Sequence, residues 1–84
     1  MRSDIFAITT APQTAAAITS WADSNCNEVI IQAPTANTAV LNFGAPSHEV
    51  GELFAGNAII VAVNSLKNVS VKGTSGDYVI IMAT

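Results

Sequence analysis

The most reactive side chains stand together once, at His48-Glu49-Val50-Gly51-Glu52, where an imidazole and two carboxylates fall within five positions. A zinc peptidase holds its metal with two histidines one helical turn apart. Here Glu52 occupies the second histidine's place, and Gly51 and Pro46 oppose a helix, so the segment reads as a solvated loop. A carboxylate pair for acid–base work needs an apolar recess that raises one pKa, and these neighbours offer none. Cys26 has no second cysteine to bridge to and only His48 as a base, so it reads as a small thiol packed at a strand entry. A blue-copper site needs two histidines, and the chain has one. Asn68-Val69-Ser70 fits the N-glycosylation pattern by coincidence, and Gly73-Thr74-Ser75-Gly76 lacks the lysine and following helix of a phosphate loop. No catalytic, cofactor-binding or metal-ligating residue is therefore assigned, and the chain is not expected to be an enzyme.

The elements around these residues are short and β-branched. Asp4 to Thr10 reads as a first strand that Pro12 closes, because proline gives no ladder hydrogen bond. Thr14 to Trp21 contains three alanines but also Thr14, Ile18 and Thr19, and reads as a strand. Glu28–Ala33 and Thr38–Phe43 follow, separated by the Pro34–Asn37 turn. Gly44 to Gly51 reads as a surface loop, and Glu52–Asn57 as a short apolar edge with a Gly-Asn turn. Neither face of Ala58–Val63 is polar, so both are expected to be covered. In Val69–Lys72 the valines should point inward, with Ser70 and Lys72 outward. Gly73–Asp77 reads as a hairpin loop leading to Tyr78–Met82, again apolar on both faces. About seven short strands without a helix predict an all-β chain: one small antiparallel β-sandwich or jelly-roll-like barrel spanning residues 1–84, with residues 1–15 an N-terminal arm or edge strand.

Composition limits the partners. Net charge is −3, and Arg2, Lys67 and Lys72 are the only Lys and Arg residues, too few and too scattered to track phosphates or an anionic membrane. Apolar runs stay far below the ~20 residues that span a bilayer as a helix, and Ile5–Ile8 is too short for a signal-peptide core. Half of the residues are hydrophobic and only 11% charged, against a usual charged share of about 25%. So short a chain buries little surface per residue, and without disulfides or a metal the usual remedy is association. Large apolar side chains at strand ends, or on the second faces of strands, are the candidate interface: Ile5, Phe6, Ile8, Trp21, Phe54, Tyr78, Ile80 and Met82.

Several turns and strand exits recur in a particular order. They are Cys26 to Asn37 with its Ile-Gln-Ala-Pro exit, Val40 to Gly44, Leu53 to Ile59 with a Leu-x-x-Gly turn, Asn64 to Val71, and Gly73 to Ile81 with its Gly-Asp turn. This order resembles small structural proteins of tailed bacteriophages, virion β-sandwich modules that include capsid cement or decoration proteins, over residues 16 to 84. The chain departs from that pattern in the plain loop Gly44–Gly51, where such proteins carry a longer polar stretch. The resemblance implies a cement protein, made in the host cytoplasm and placed on the capsid surface. It would be a homo-oligomer, with a trimer as the expected count, bridging major capsid protein subunits without doing chemistry. The alternative is a head-fibre or tail-associated module that recognises a host glycan or protein through Gly44–Gly51 and Gly73–Asp77. A cupin-like enzyme would share the fold but requires a set of metal-binding histidines.

Overall fold

A computed structural model describes residues 1–84 as two four-stranded antiparallel sheets facing each other across one core. The strands are β1 (Arg2–Ala7), β2 (Gln13–Thr14), β3 (Val29–Gln32), β4 (Leu41–Ala45), β5 (His48–Leu53), β6 (Ala58–Val61), β7 (Ser70–Lys72) and β8 (Tyr78–Ala83). The first sheet runs β1-β8-β3-β6 and the second β2-β7-β4-β5. Four of the antiparallel pairs are nested: β4 with β5, β3 with β6, β2 with β7 and β1 with β8. The chain is thus one long ribbon doubled back at the β4–β5 turn and wound around the core. Pairs β3–β8 and β4–β7 join neighbouring turns of that ribbon. This is the jelly-roll arrangement, and the all-β sandwich expected from the sequence is what forms.

Alternation along the strands defines the core. Val29 and Ile31, Val79 and Ile81, Leu41 and Val71 are fully buried and meet between the sheets, with Leu66 and Val69 closing one end. Residues 2–7 are not a free arm: β1 lies along β8 through six registered pairs, as the edge strand of the first sheet.

Five local expectations are corrected. Thr14–Trp21 is not a strand; after the two-residue β2 the chain turns into a short helix α1 (Ala15–Thr19). The Thr14 hydroxyl accepts the Ala17 amide at 3.1 Å, and Ser20 ends the helix in a left-handed conformation, so cap and alanines outweigh the β-branched residues. Gly44–Gly51 is not a loop but the β4–β5 hairpin, turning through Pro46 and Ser47, whose φ is +68°. Proline presets the first turn residue, and the second takes the positive φ of a type II turn. A bulge between Phe43 and Ala45 brings the two backbones so close that a Cβ on Gly44 would collide with the His48 carbonyl. Strand β6 is not covered on both faces: it is an edge strand, and Ile60 is 62% exposed. Ser70 faces the same side as Lys72, away from the valines, but is buried there rather than exposed: β2 lies alongside β7 and the Ser70 hydroxyl donates to the Gln13 carbonyl at 3.1 Å. Finally, Gly73–Asp77 is no hairpin loop, since β7 and β8 belong to different sheets and the segment crosses between them.

Candidate interaction surface

Residues paired directly across an antiparallel ladder share a face, so the register shows what each sheet presents. In the first sheet the buried positions Val29, Ile31, Val79 and Ile81 point inward. The alternate positions point out, in rows that cross the strands. One row is Ile5–Ile80–Gln32–Ala58, the next Ser3–Met82–Ile30–Ile60, and Ala7–Tyr78 continues the pattern on β1 and β8. None of these ten residues is charged. With strands about 4.8 Å apart and like-facing residues about 6.8 Å apart, the face covers on the order of 400 Å². Ser3 and Gln32 are its only polar members besides the Tyr78 hydroxyl, and a mostly apolar sheet face of that extent tends to be functional.

The second sheet differs. Next to its buried Leu41–Leu53 row runs Lys72–Asn42–Glu52, a polar row with charges of both signs. The second sheet's surface thus carries charges of both signs beside one well-exposed apolar side chain, Val50 on β5, whereas the first sheet's outer face carries no charge.

Four of the eight candidate interface residues meet on the uncharged face: Ile5, Tyr78, Ile80 and Met82. Ile30 and Ile60 belong there too: the expectation that both faces of Ala58–Val63 are covered hides Ile60, and nothing in the local pattern of Glu28–Ala33 tells the outer side of Ile30 from the inner one. Ile8 is corrected outright. At 2% exposure it is a core residue, since β1 ends at Ala7 and the chain there crosses between the sheets. Phe6 and Trp21 are half-buried and pack on each other edge to face, 6.0 Å between ring centroids, with the Arg2 guanidinium 5.1 Å from the Trp21 ring centre. Arg2 also donates to the Asp23 and Asn25 carbonyls, so this cluster ties β1 to the segment after α1.

Phe54 is exposed, but at the end of the sandwich where four connections meet. The Ile8 amide donates to the Asp77 carbonyl and the Gly73 amide to Thr9, while Gly56 and Ala33 join the β5–β6 and β3–β4 connections. An open cleft of about 370 Å³ lies here, lined by Asn37, Thr38, Ala39, Val40, Phe54 and Ala55. Its polar groups are already engaged. Asn37 donates to the Tyr78 carbonyl and accepts its amide, and Thr38 is held by Asp77.

Two buried carboxylates keep loops in place. The Thr38 amide holds the Asp77 carboxyl below its ordinary pKa against the opposing push of burial, with help from the Ala39 amide and the Thr38 hydroxyl. For Glu49 burial pushes upward, but the Ser70 hydroxyl, the Ser47 amide, its own amide and the Lys72 charge together bring it below the usual value. Glu49 is thus a buried strap across the β4–β5 turn rather than part of a solvated loop. The Cys26 thiol is pushed up by burial, against the nearby Arg2 charge and in step with Asp23, and its Sγ sits 3.3 Å from the Val63 carbonyl. No three His, Cys, Asp or Glu side chains converge as a metal site would need, and no helix is long and apolar enough to cross a membrane. No protein-family model, curated protein or solved structure matches the chain.

Proposed function

We propose that this protein is a structural component of a tailed-phage virion, a cement protein that binds the assembled shell of major capsid protein and bridges its subunits. The observation that carries the reading is the uncharged outer face of the first sheet, centred on Ile5, Ile80, Met82 and Ile30. Water is a poor neighbour for such a face, and burying it against a protein surface is favourable in proportion to the area covered. The jelly-roll strand order and the resemblance in turn order support the same reading. At on the order of 400 Å², one copy offers about half of what each partner contributes to a standard interface. Several such contacts on a repetitive shell add up by avidity, and binding the assembled shell alone stabilises it by mass action.

The test is to mix the protein with expanded, undecorated capsids of its phage. Saturable, stoichiometric binding and a higher disruption temperature are expected. The double variant Ile5→Lys, Ile80→Lys should bind at least tenfold more weakly while keeping its far-ultraviolet spectrum. Absence of binding by the unaltered protein would sink the reading. The second reading, a host-binding module, draws on one observation: exposed Phe54 beside the open cleft at the loop end. Binding to host-cell glycans that Phe54→Ala abolishes would favour it.

A further inference from the structure

A β-sandwich has four strand edges, and an unprotected edge is a template for another strand. Here the edges are β1 and β6 in the first sheet, β2 and β5 in the second. Three carry recognisable protection. Strand β1 bears Arg2 and Asp4, and the Asp4 carboxylate accepts the Ile5 amide at 2.8 Å. Strand β2 is two residues long. Strand β5 bears His48, Glu49 and Glu52, and its ladder is broken by the bulge at Phe43/Ala45. Strand β6 has none of these. From Asn57 to Asn64 it is uncharged and free of proline, its register with β3 is unbroken, and no backbone group of Ala58–Val61 bonds to anything but β3. Half of its amides and carbonyls are left for another strand.

We infer that β6 is a self-association edge, on which a second copy of this chain pairs antiparallel, β6 against β6. A strand in antiparallel register with its own copy forms a closed two-fold interface. Two copies that meet at this edge bring no like charges together, despite the chain's net charge of −3. The two-fold axis then stands normal to the sheet, so both uncharged faces look the same way. Eight strands make one continuous face of roughly 800 Å², the share each partner brings to a standard interface. The pairing itself does not depend on a capsid shell as the eventual partner.

Sedimentation equilibrium from micromolar to millimolar concentration should show the mass rising from one chain towards two. In the dimer, the β6 amides that do not bond β3 should exchange with deuterium more slowly as concentration rises. Ile60→Lys sets ammonium groups of the two copies near each other and should leave only the one-chain mass, with Ala62→Lys, just past the strand, doing the same should the first variant not fold. Ile5→Lys, on the same face but on the opposite edge strand, should dimerise unchanged. A strict monomer, a three-chain mass, or a dimer that Ile5→Lys dissolves would each overturn the inference. Shell binding is measured separately, so either idea can fail alone.

Discussion

Asp77 sits at 4% exposure with its carboxylate facing the Thr38 and Ala39 amides, which makes it, together with the Asn37 pair to the Tyr78 backbone, a fastening between the β7–β8 crossing and the β3–β4 connection. Glu49 fastens the β4–β5 turn in the same way through Ser47. Both groups have folded-state pKa values below the ordinary 3.8 and 4.5. Unfolding therefore takes up protons in acid, so the stability they supply is complete above those ordinary values and fades as pH falls through the folded ones. The urea midpoint should be flat from neutral pH down to the ordinary carboxylate range and then drop. Asp77→Asn should lower the midpoint at neutral pH and make the acid decline shallower; a variant that declines as steeply as the unaltered chain would show that the fastening lies elsewhere. In the sequence, Asp77 looked like one more turn residue after Gly76. Its role depends on a contact with Thr38 across the fold, which local spacing does not express.

Strand β3 puts two isoleucines in consecutive positions with opposite fates. Ile31 is fully buried between the sheets, whereas Ile30 lies on the outer face in register with Met82 and Ile60. Ile31→Ala should cost about 2–5 kcal/mol through lost burial and the cavity left behind. Ile30→Thr should change stability by less than about 1 kcal/mol, as surface positions do, and weaken the proposed shell binding instead. Chemical denaturation of the two variants reads the difference. Strands such as β3 and β8 were legible because β-branched runs between Pro, Gly and Asn turns have few other uses. Strand β5 was not, because Glu, Gly and His suit a loop and only pairing with β4 across the Pro46–Ser47 turn makes them a strand. Helix α1 was hidden behind Thr14, which counts towards a strand by propensity and towards a helix by capping. The outer face was half legible. Apolar alternation on both sides of β6 and β8 was visible, but which side meets water follows from sheet order, which no local pattern encodes.

For the molecule as a whole, the nested ribbon sets the distance in sequence that each pairing must close. Leu41 and Leu53 meet across a short hairpin, Val29 and Val61 across a longer loop, and Arg2 and Ala83 across nearly the whole chain. Closure of long loops precedes the contacts that reward it, so jelly-roll topologies of this kind fold in milliseconds to seconds. Stopped-flow refolding should fall in that range, with Leu53→Ala slowing folding and Phe6→Leu mainly speeding unfolding. During synthesis β1 is made first and its ladder partner β8 last of the strands. Until β8 arrives, Ile5 and Phe6 on one side and Ile31 on the other lack the strand that separates them. The interval favours pairing with a neighbouring chain, so refolding yield should fall as chain concentration rises, and a nascent chain of this topology has reason to be shielded until its last strand is free.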